Sequence, residues 1–301
     1  MGTILLALAG GYLIILGLMY LFQNQLLFMP SSRMMQTPQN MGLTAQDVWI
    51  ETEDGVRLHS WYFPNEESDQ VVVLSHGNAG NISGRIPIAE TLLNCGVSVL
   101  MYDYRGYGQS DGRPSEKGLY RDIEAVVETL KNDLGYSEQQ IIMYGRSLGG
   151  AVAAYAAVRF NLGGLVLDSA FKNLKAMVRD VYPFVPAWLA KYNFPTDEYL
   201  RQLEGLPVMV MHSPNDEIVG FHHSEYLYGL LDESKLFVEL RGGHNDNFFA
   251  STDIIEENWK WYLEEARIAA AAQRESACRG AETQSEGTRG GATAQSEGEE
   301  Q

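Results

Sequence analysis

The chain has 301 residues, of which 45% are hydrophobic, and its 22 basic and 39 acidic side chains give a formal net charge of -17. This composition is typical of a globular protein with a large core, and the negative charge argues against nucleic acid as a partner, because phosphate binders concentrate Lys and Arg. The two cysteines, Cys95 and Cys278, lie in unlike surroundings with no neighbouring metal ligands, so neither a disulfide nor a metal site is predicted.

An uncharged segment opens the chain. No charged side chain occurs from Met1 to Ser32, and residues 4–22 are almost wholly apolar. At 1.5 Å per residue this apolar stretch is about 28 Å long, enough to cross a bilayer core. A cleaved signal peptide is the alternative, but no basic residue precedes the stretch and no small-x-small site follows it. We predict a single-pass transmembrane anchor over residues 1–25, in contact with membrane lipid.

A polar connector over residues 26–47 leads into a globular pattern. Residues 48–63 predict two strands joined at Asp54–Gly55, a common hairpin signal. Short apolar runs then alternate with amphipathic helical patterns, which indicates a mostly parallel sheet covered by helices on both faces. The remaining predicted strands are 71–75, 97–102, 141–144, 164–168, 208–212 and 235–240.

The last helical pattern begins near Asp253 and ends in an alanine-rich run. From Gln273 the composition changes to Gly, Ser, Thr, Ala, Gln and Glu without apolar periodicity, which predicts a disordered polar tail over residues 273–301. The α/β domain is therefore predicted to cover residues 48–272.

The segment "GRSLG" follows a buried strand and opens a helix, the context in which G-x-S-x-G forms a nucleophile elbow. The turn is so tight that side chains at Gly145 and Gly149 would collide with neighbouring elements. Ser147 is then held in a strained conformation with its hydroxyl exposed at the carboxyl end of the sheet. The N–H of Leu148, at the positive end of the helix dipole, is predicted to stabilise an oxyanion.

A serine nucleophile needs a histidine base oriented by a carboxylate, in the chain order Ser, acid, His. His244 lies in a glycine loop after the last predicted strand and is the predicted base. Asp216, in the flexible "SPND" turn, is the preferred acid. Asp168 after the preceding strand is the alternative, and either aspartate could instead cap a helix. Glu217 is a further substitute.

Other histidines are placed less favourably for the role of base. His76 and His212 end predicted strands, and His59 lies in the early hairpin. His222 and His223 fall in a helical segment and are expected at the surface.

The loop "HGNAGN" after the strand at 71–75 resembles loops whose bent backbone aims N–H groups at an oxyanion. We assign the second donor to the N–H of Asn78, with Ala79 as its open alternative. Residues 168–207 form a segment too long for a simple connection, and its aromatic side chains and prolines predict a short cap lining an acyl pocket. Ordinary helix packing on the sheet is the alternative. The aromatic residues are Phe171, Tyr182, Phe184, Trp188, Tyr192 and Phe194.

The motifs "HGNAGN", "DYRGYGQSDG", "GRSLGG", "SPNDEIV" and "GGHND" occur in the order and spacing of the α/β-hydrolases. The chain resembles, more narrowly, the small membrane-anchored α/β-hydrolase-domain proteins of the bud-emergence homologue type. The resemblance implies an eight-stranded, mostly parallel sheet, a Ser147–Asp216–His244 triad, serine hydrolase activity and no metal or organic cofactor. It also implies that some relatives act on acyl thioesters of lipidated proteins.

These features predict a serine hydrolase that cleaves a carboxylic ester or thioester through an acyl-serine intermediate. Its substrate would be a small-molecule or lipid-like acyl compound, or an acylated protein. A serine peptidase of aminopeptidase type is one alternative, and it would need a carboxylate to hold the substrate amine. A non-catalytic binding protein on the same fold is another, although such proteins usually lose a triad member.

Overall fold

The computed structural model describes residues 1–232 and 234–292, and its centre is an eight-stranded sheet. The strands are β1 Gln46–Glu51, β2 Arg57–Phe63, β3 Val71–Ser75, β4 Ser98–Tyr102, β5 Ile141–Arg146, β6 Gly164–Asp168, β7 Val208–His212 and β8 Lys235–Glu239. Their order across the sheet is β8, β7, β6, β5, β3, β4, β2, β1. Strand β2 runs antiparallel to both of its neighbours, and the remaining pairs are parallel. The predicted mostly parallel sheet is therefore confirmed.

Helices cover both faces of the sheet, as the alternation of apolar runs predicts. One apolar cluster packs α4 and α5 on the sheet, and a second cluster packs α3 and α10 on the opposite face. The helices are α1 Gly2–Leu21, α2 Gln23–Leu27, α3 Ile86–Asn94, α4 Glu116–Asn132, α5 Leu148–Arg159, α6 Leu174–Val181, α7 Thr196–Leu200, α8 His222–Gly229, α9 Asn247–Ala250 and α10 Thr252–Ala292.

The first two strands form the predicted hairpin. Its turn places Gly55 at φ 74°, a left-handed conformation that glycine adopts without a Cβ clash. The Thr52 amide donates to the Val56 carbonyl at 2.9 Å and closes the turn. The hairpin therefore forms one edge of the sheet, and β7 and β8 form the opposite edge.

Helix α1 has no buried residue, and all of its residues are exposed except Gly10, Leu16 and Met19, which are half-buried. In the described part of the chain it is the one helix long and apolar enough to cross a membrane. The following segment is tied to the domain, since Phe28 is buried in the core and Met29–Pro30 pairs in parallel with Ala79–Gly80. The segment that follows the apolar helix is thus paired with the loop that follows β3.

The last helix differs from the sequence expectation. Helix α10 continues to Ala292, through the first part of the tail predicted to be disordered from Gln273. Residues 273–292 mix good helix formers such as Ala, Glu, Gln and Arg with four glycines, so local propensity does not account for this extension. The rest of the predicted tail, residues 293–301, lies outside the described residues.

Candidate active site

Ser147 lies at the junction of β5 and α5, where it is the N-cap of the helix at φ 50° and ψ -114°. This left-handed backbone is strained for a residue with a side chain, at a cost of order 1–3 kcal/mol. The turn is held in place by the Ser147 amide, which donates to the Asp168 carbonyl at 2.8 Å, and by the Gly150 amide, which donates to Ser147 at 2.9 Å. The sequence pattern predicts this strand–turn–helix arrangement.

The glycines around Ser147 are required by close backbone contacts. A Cβ at Gly145 would lie 2.4 Å from the Gly149 carbonyl oxygen, and a Cβ at Gly149 would lie 1.9 Å from the Ser75 carbonyl oxygen. Both separations are far inside van der Waals contact, so β3, β5 and α5 can meet only where these residues lack side chains.

Gly149→Ala should therefore lower the free energy of unfolding by more than about 4 kcal/mol, because backbone atoms of β3 cannot move aside. Urea unfolding followed by circular dichroism measures the loss. Gly84→Ala is the matched control, since a Cβ there meets nothing within 4 Å and should change stability by less than about 0.5 kcal/mol. Equal stability of the two variants would contradict the packing described for the elbow.

His244 and Asp216 form a buried hydrogen-bonded pair. His244 Nδ1 lies 2.7 Å from Asp216 Oδ2. The other carboxylate oxygen, Oδ1, accepts the amides of Ile218 at 2.9 Å and Val219 at 2.7 Å. The amide of His244 donates to Glu217 Oε2 at 3.0 Å, so this glutamate contacts the backbone of the histidine and not its ring. The geometry thus pairs the histidine ring with the preferred acid.

A second histidine contacts the same carboxylate. His212 Nε2 lies 3.1 Å from Asp216 Oδ2 and 2.9 Å from the Val219 carbonyl oxygen, while its Nδ1 lies 2.6 Å from Ser224 Oγ. With two acceptors facing Nε2, that nitrogen carries the proton, and Nδ1 accepts from the Ser224 hydroxyl. Asp216 is therefore positioned by donors on every side.

Burial raises the pKa of the Asp216 carboxyl, but the hydrogen bonds from His212 and His244 and the charge of His244 outweigh burial and hold the pKa well below its usual range. A carboxylate with a lowered folded-state pKa stabilises the fold above a pH of about 4, the usual value in an unfolded chain. That contribution is lost as the pH falls through the lowered value. Asp216 therefore stays ionised at neutral pH.

Asp168, the alternative acid, has a different set of partners. It is fully buried, and its Oδ2 accepts from Arg146 Nη1 at 2.6 Å and from the Tyr144 hydroxyl at 2.6 Å. Arg146 in turn donates from Nη2 to the His244 carbonyl oxygen and, at 3.0 Å, to Asn247 Oδ1. Asp168 thus acts through Arg146 on the backbone of the loop that carries His244.

Asp168→Asn should lower the free energy of unfolding by about 3–5 kcal/mol, because it leaves the buried Arg146 guanidinium without a counter-charge. Denaturant titration measures the change. The control is Asp69→Asn, whose partner Arg267 lies 3.5 Å away with both side chains about half exposed, so that a loss of about 1 kcal/mol or less is expected. A loss no larger than the control's would show that the Asp168–Arg146 pair does not stabilise the fold.

The loop after β3 lies beside Ser147. A Cβ at Gly77 would be 3.8 Å from the Ser147 Cβ. The Asn78 side chain donates to the Leu27 carbonyl at 3.0 Å, and the Asn78 carbonyl accepts from the Met29 amide at 2.9 Å and the Tyr107 hydroxyl at 2.8 Å. These hydrogen bonds hold the loop against Leu27 and Met29, which follow the apolar helix. The loop carries the predicted oxyanion donor, the N–H of Asn78.

One cavity of about 330 Å³ is lined by all four of these predicted site residues: Ser147, Leu148, Asn78 and His244. In the described part of the chain, His244 is hydrogen-bonded to Asp216, Glu217 and Arg146, and no hydrogen bond joins it to the Ser147 hydroxyl. The lining contains two arginines and, among described residues, no carboxylate. Most of the other lining side chains are apolar: Leu27, Met29, Ile88, Phe171, Leu174, Met177, Ile218, Val219, Phe248 and Phe249.

Three side chains that could hold a metal ion lie together outside this cavity, and one of them, His223, is not at the surface as predicted. Asp180, His222 and His223 place one ligand atom each within 4.8 Å of one another. His223 is fully buried, contrary to the prediction of a surface residue, because Asp180 of α6 accepts its Nε2–H at 2.8 Å. Burial lowers the pKa of His223 to about 4.

Two residues with positioning contacts are not predicted from the sequence. Arg146 is the variable position of the G-x-S-x-G motif, and His212 ends a predicted strand. An arginine at the end of an otherwise apolar strand is a signal that could have indicated the buried ion pair. His212 occurs four residues before Asp216, but that spacing alone does not predict a contact across a turn.

The fold and these side chains together define an α/β-hydrolase, and the chain belongs to that superfamily, as a member of the bem46 type. It is 34% identical over 259 residues to an uncharacterized membrane protein of Saccharomyces cerevisiae, covering 79% of this chain and 89% of the relative. It is 30% identical over 237 residues to protein bem46 of Schizosaccharomyces pombe, covering 74% of this chain and 79% of the relative.

Two further comparisons concern the domain and the fold. The family model described as Serine aminopeptidase, S33 matches residues 66–196, a range that includes Ser147 but not Asp216 or His244. The structure of Pyrococcus furiosus esterase Pf2001 superposes with a TM-score of 0.67 at 22% identity, covering 78% of this chain and 98% of the esterase. At that identity the likeness shows the fold alone.

Proposed function

We propose that the chain is a serine hydrolase that cleaves a carboxylic ester or thioester through an acyl-Ser147 intermediate. The observation that carries the proposal is the strained Ser147 turn facing the same cavity as His244, whose ring is paired with the ionised Asp216. A serine held this way in one cavity with a carboxylate-oriented imidazole supports acyl transfer, since a hydrogen bond between the two groups activates the hydroxyl.

In the proposed reaction the Ser147 hydroxyl oxygen attacks the acyl carbonyl carbon and transfers its proton to His244 Nε2. Asp216 holds the proton on Nδ1 and balances the charge of the imidazolium. The amides of Leu148 and Asn78 stabilise the oxyanion, His244 then protonates the leaving alcohol or thiol, and water releases the acid by the reverse sequence.

An aminopeptidase is the second candidate, favoured by the family model that matches residues 66–196. A carboxylate in the site would have to hold the substrate amine. Among the described residues that line the cavity, the charged side chains are Arg85 and Arg146, and none is acidic. Arg146 is paired with Asp168, and the lining offers no carboxylate to hold an ammonium group, which supports ester or thioester over aminoacyl substrates.

Membrane attachment is part of the proposal. We infer that residues 1–25 form a single-pass anchor, that the hydrolase domain covers residues 48–272 and that the substrate is a lipid-like acyl compound or an acylated protein. The exposed apolar helix Gly2–Leu21 supports the anchor, and the yeast relative is named a membrane protein. Retention of the full chain in carbonate-washed membranes tests it, and release by the wash would contradict it.

A substrate panel tests the reaction. The full-length chain in detergent should hydrolyse acyl esters and acyl thioesters and leave aminoacyl amides of similar size untouched. The released chromogenic nitrophenol reports turnover of the esters, the free thiol that of the thioesters, and a chromogenic nitroaniline that of the amides. Cleavage of the amides alone would overturn the assignment in favour of a peptidase, and no turnover of any substrate would favour a binding protein.

A further inference from the structure

The apolar helix α1 and the cap, residues 168–207, are in direct contact. The Tyr12 hydroxyl donates to the Phe184 carbonyl at 2.6 Å, and Gln23 Nε2 donates to the Leu189 carbonyl at 2.8 Å. Gln23 Oε1 accepts the Lys191 amide at 2.7 Å. A stripe that runs from α1 into α2 therefore lies along residues 184–191 of the cap.

The contact extends far along the helix. Tyr12 lies nine residues before Leu21, the last residue of α1, which corresponds to about 14 Å along the helix axis, or roughly half of a bilayer core. If the end of α1 lies at the membrane surface, with Gln23 of α2 just beyond it, the cap reaches into the apolar layer as far as Phe184. The Tyr12–Phe184 hydrogen bond then satisfies two polar groups that would otherwise be costly in hydrocarbon.

The composition of the cap fits that position. Residues 181–190, "VYPFVPAWLA", carry no charged side chain and are flanked by Asp180 and Lys191. The large apolar side chains in this stretch are exposed, with Trp188 at 77% and Phe184 at 55%. The Lys191 ammonium lies 4.3 Å from the Tyr20 ring centroid, near the end of the helix, where a cation meets the polar surface of a membrane.

A second cavity lies between the helix and the cap, which we call the anchor–cap pocket. It is lined by Leu16, Met19, Tyr20, Gln23, Leu26, Leu27, Leu174, Val178, Tyr182, Val185, Leu189, Ala190 and Tyr192. No charged side chain is among these described residues. Leu27 and Leu174 line both this pocket and the Ser147 cavity, so the two spaces adjoin.

We propose that the tip of the cap is embedded in the bilayer and that the anchor–cap pocket takes the long acyl chain of a lipid ester directly from the membrane. This inference rests on the proposed function and names its substrate class. The acyl chain of the lipid enters between α1 and α6 and passes Leu27 and Leu174. Its carbonyl group then lies at Ser147. An aliphatic chain is the ligand that an uncharged lining opening toward lipid accepts without desolvating a polar group.

Filling the pocket tests the route. Ala190→Trp places a large side chain in the anchor–cap pocket, and the control Ala271→Trp alters an exposed alanine on α10. Both full-length chains are reconstituted in phosphatidylcholine vesicles and assayed with methylumbelliferyl hexadecanoate, which dissolves in the bilayer, and with the water-soluble butanoate. Ala190→Trp should lower kcat/KM for the hexadecanoate by about tenfold or more and leave the butanoate within about twofold. The control should change neither.

The outcomes separate the two proposals. Hydrolysis of neither ester by the unaltered chain would overturn this inference, and it would overturn the proposed function as well if the acyl thioesters of the panel were also left intact. Hydrolysis of the butanoate alone, or equal effects of Ala190→Trp on both esters, would overturn the membrane route and leave the proposed function standing. Preference for a soluble S-hexadecanoyl peptide over the vesicle-borne ester would assign the pocket to an acylated protein and overturn the lipid source.

A second measurement tests the embedded cap without altering the pocket. Vesicles with bromines on the lipid acyl chains quench tryptophans that lie in the hydrocarbon. Quenching should be clear for the full chain and should fall sharply in Trp188→Phe, because Trp188 is the exposed tryptophan of the cap tip. Unchanged quenching in Trp188→Phe would overturn the embedded position, whatever the folding of Ala190→Trp.

Discussion

Ser147→Ala should lower kcat for the best ester of the panel on the order of a millionfold, the scale seen when the nucleophile of a serine hydrolase is removed. The hydroxyl is the atom proposed to bond with the acyl group, and no neighbouring side chain can replace it in the strained turn. The variant should fold normally, since alanine occupies the same backbone and Ser147 is almost buried at 9% exposure.

The control for this variant is Ser169→Ala. Ser169 also has a positive φ, at 50°, and it follows the neighbouring strand β6. Its hydroxyl donates to Asp168 and accepts from Asn247, so its loss should change stability more than turnover. Activity within about tenfold of the unaltered chain in Ser147→Ala would place the nucleophile elsewhere.

Asp216→Asn should lower kcat on the order of ten-thousandfold while the fold is kept. The amides of Ile218 and Val219 donate to Oδ1, so an asparagine must place its carbonyl oxygen there and its NH₂ group at the Oδ2 position. That NH₂ faces His244 Nδ1, which can then only accept a hydrogen bond. The remaining proton moves to Nε2, where it prevents the imidazole from taking the Ser147 proton.

Steady-state kinetics and circular dichroism on the same sample measure this effect. Glu217→Gln is the matched control, because a glutamine oxygen still accepts the His244 amide and kcat should change by less than about tenfold. Asp168→Asn should also retain far more turnover than Asp216→Asn wherever it is folded. A larger loss in Glu217→Gln or Asp168→Asn would move the acid to that residue.

Local patterns predicted much of the fold and the position of the candidate site. The hairpin at Asp54–Gly55, the alternating strands and helices and the elbow at Ser147 each depend on residues close together in the chain. As predicted, a Cβ at Gly145 or Gly149 would collide with neighbouring backbone, because the tight strand–helix turn leaves no room for it. The catalytic roles of Ser147, Asp216, His244, Asn78 and Leu148 stay predictions until activity is measured.

What the sequence could not predict depends on contacts between distant segments. His223 is buried because Asp180, 43 residues earlier, accepts a hydrogen bond from its ring. Arg146 joins Asp168 to the His244 loop 98 residues later, and Tyr12 meets Phe184 across 172 residues. Such pairs follow from the packed topology, and no periodicity or spacing along the chain indicates them.

The most direct test of the central claim is to find which residue is the nucleophile. The full-length chain is treated with a fluorophosphonate, which forms a stable adduct with an activated serine, and the modified peptide is identified by mass spectrometry. The account predicts a single adduct on Ser147 that is absent in Ser147→Ala and greatly slowed in His244→Ala. An adduct on another residue, or undiminished labelling of Ser147→Ala, would contradict it.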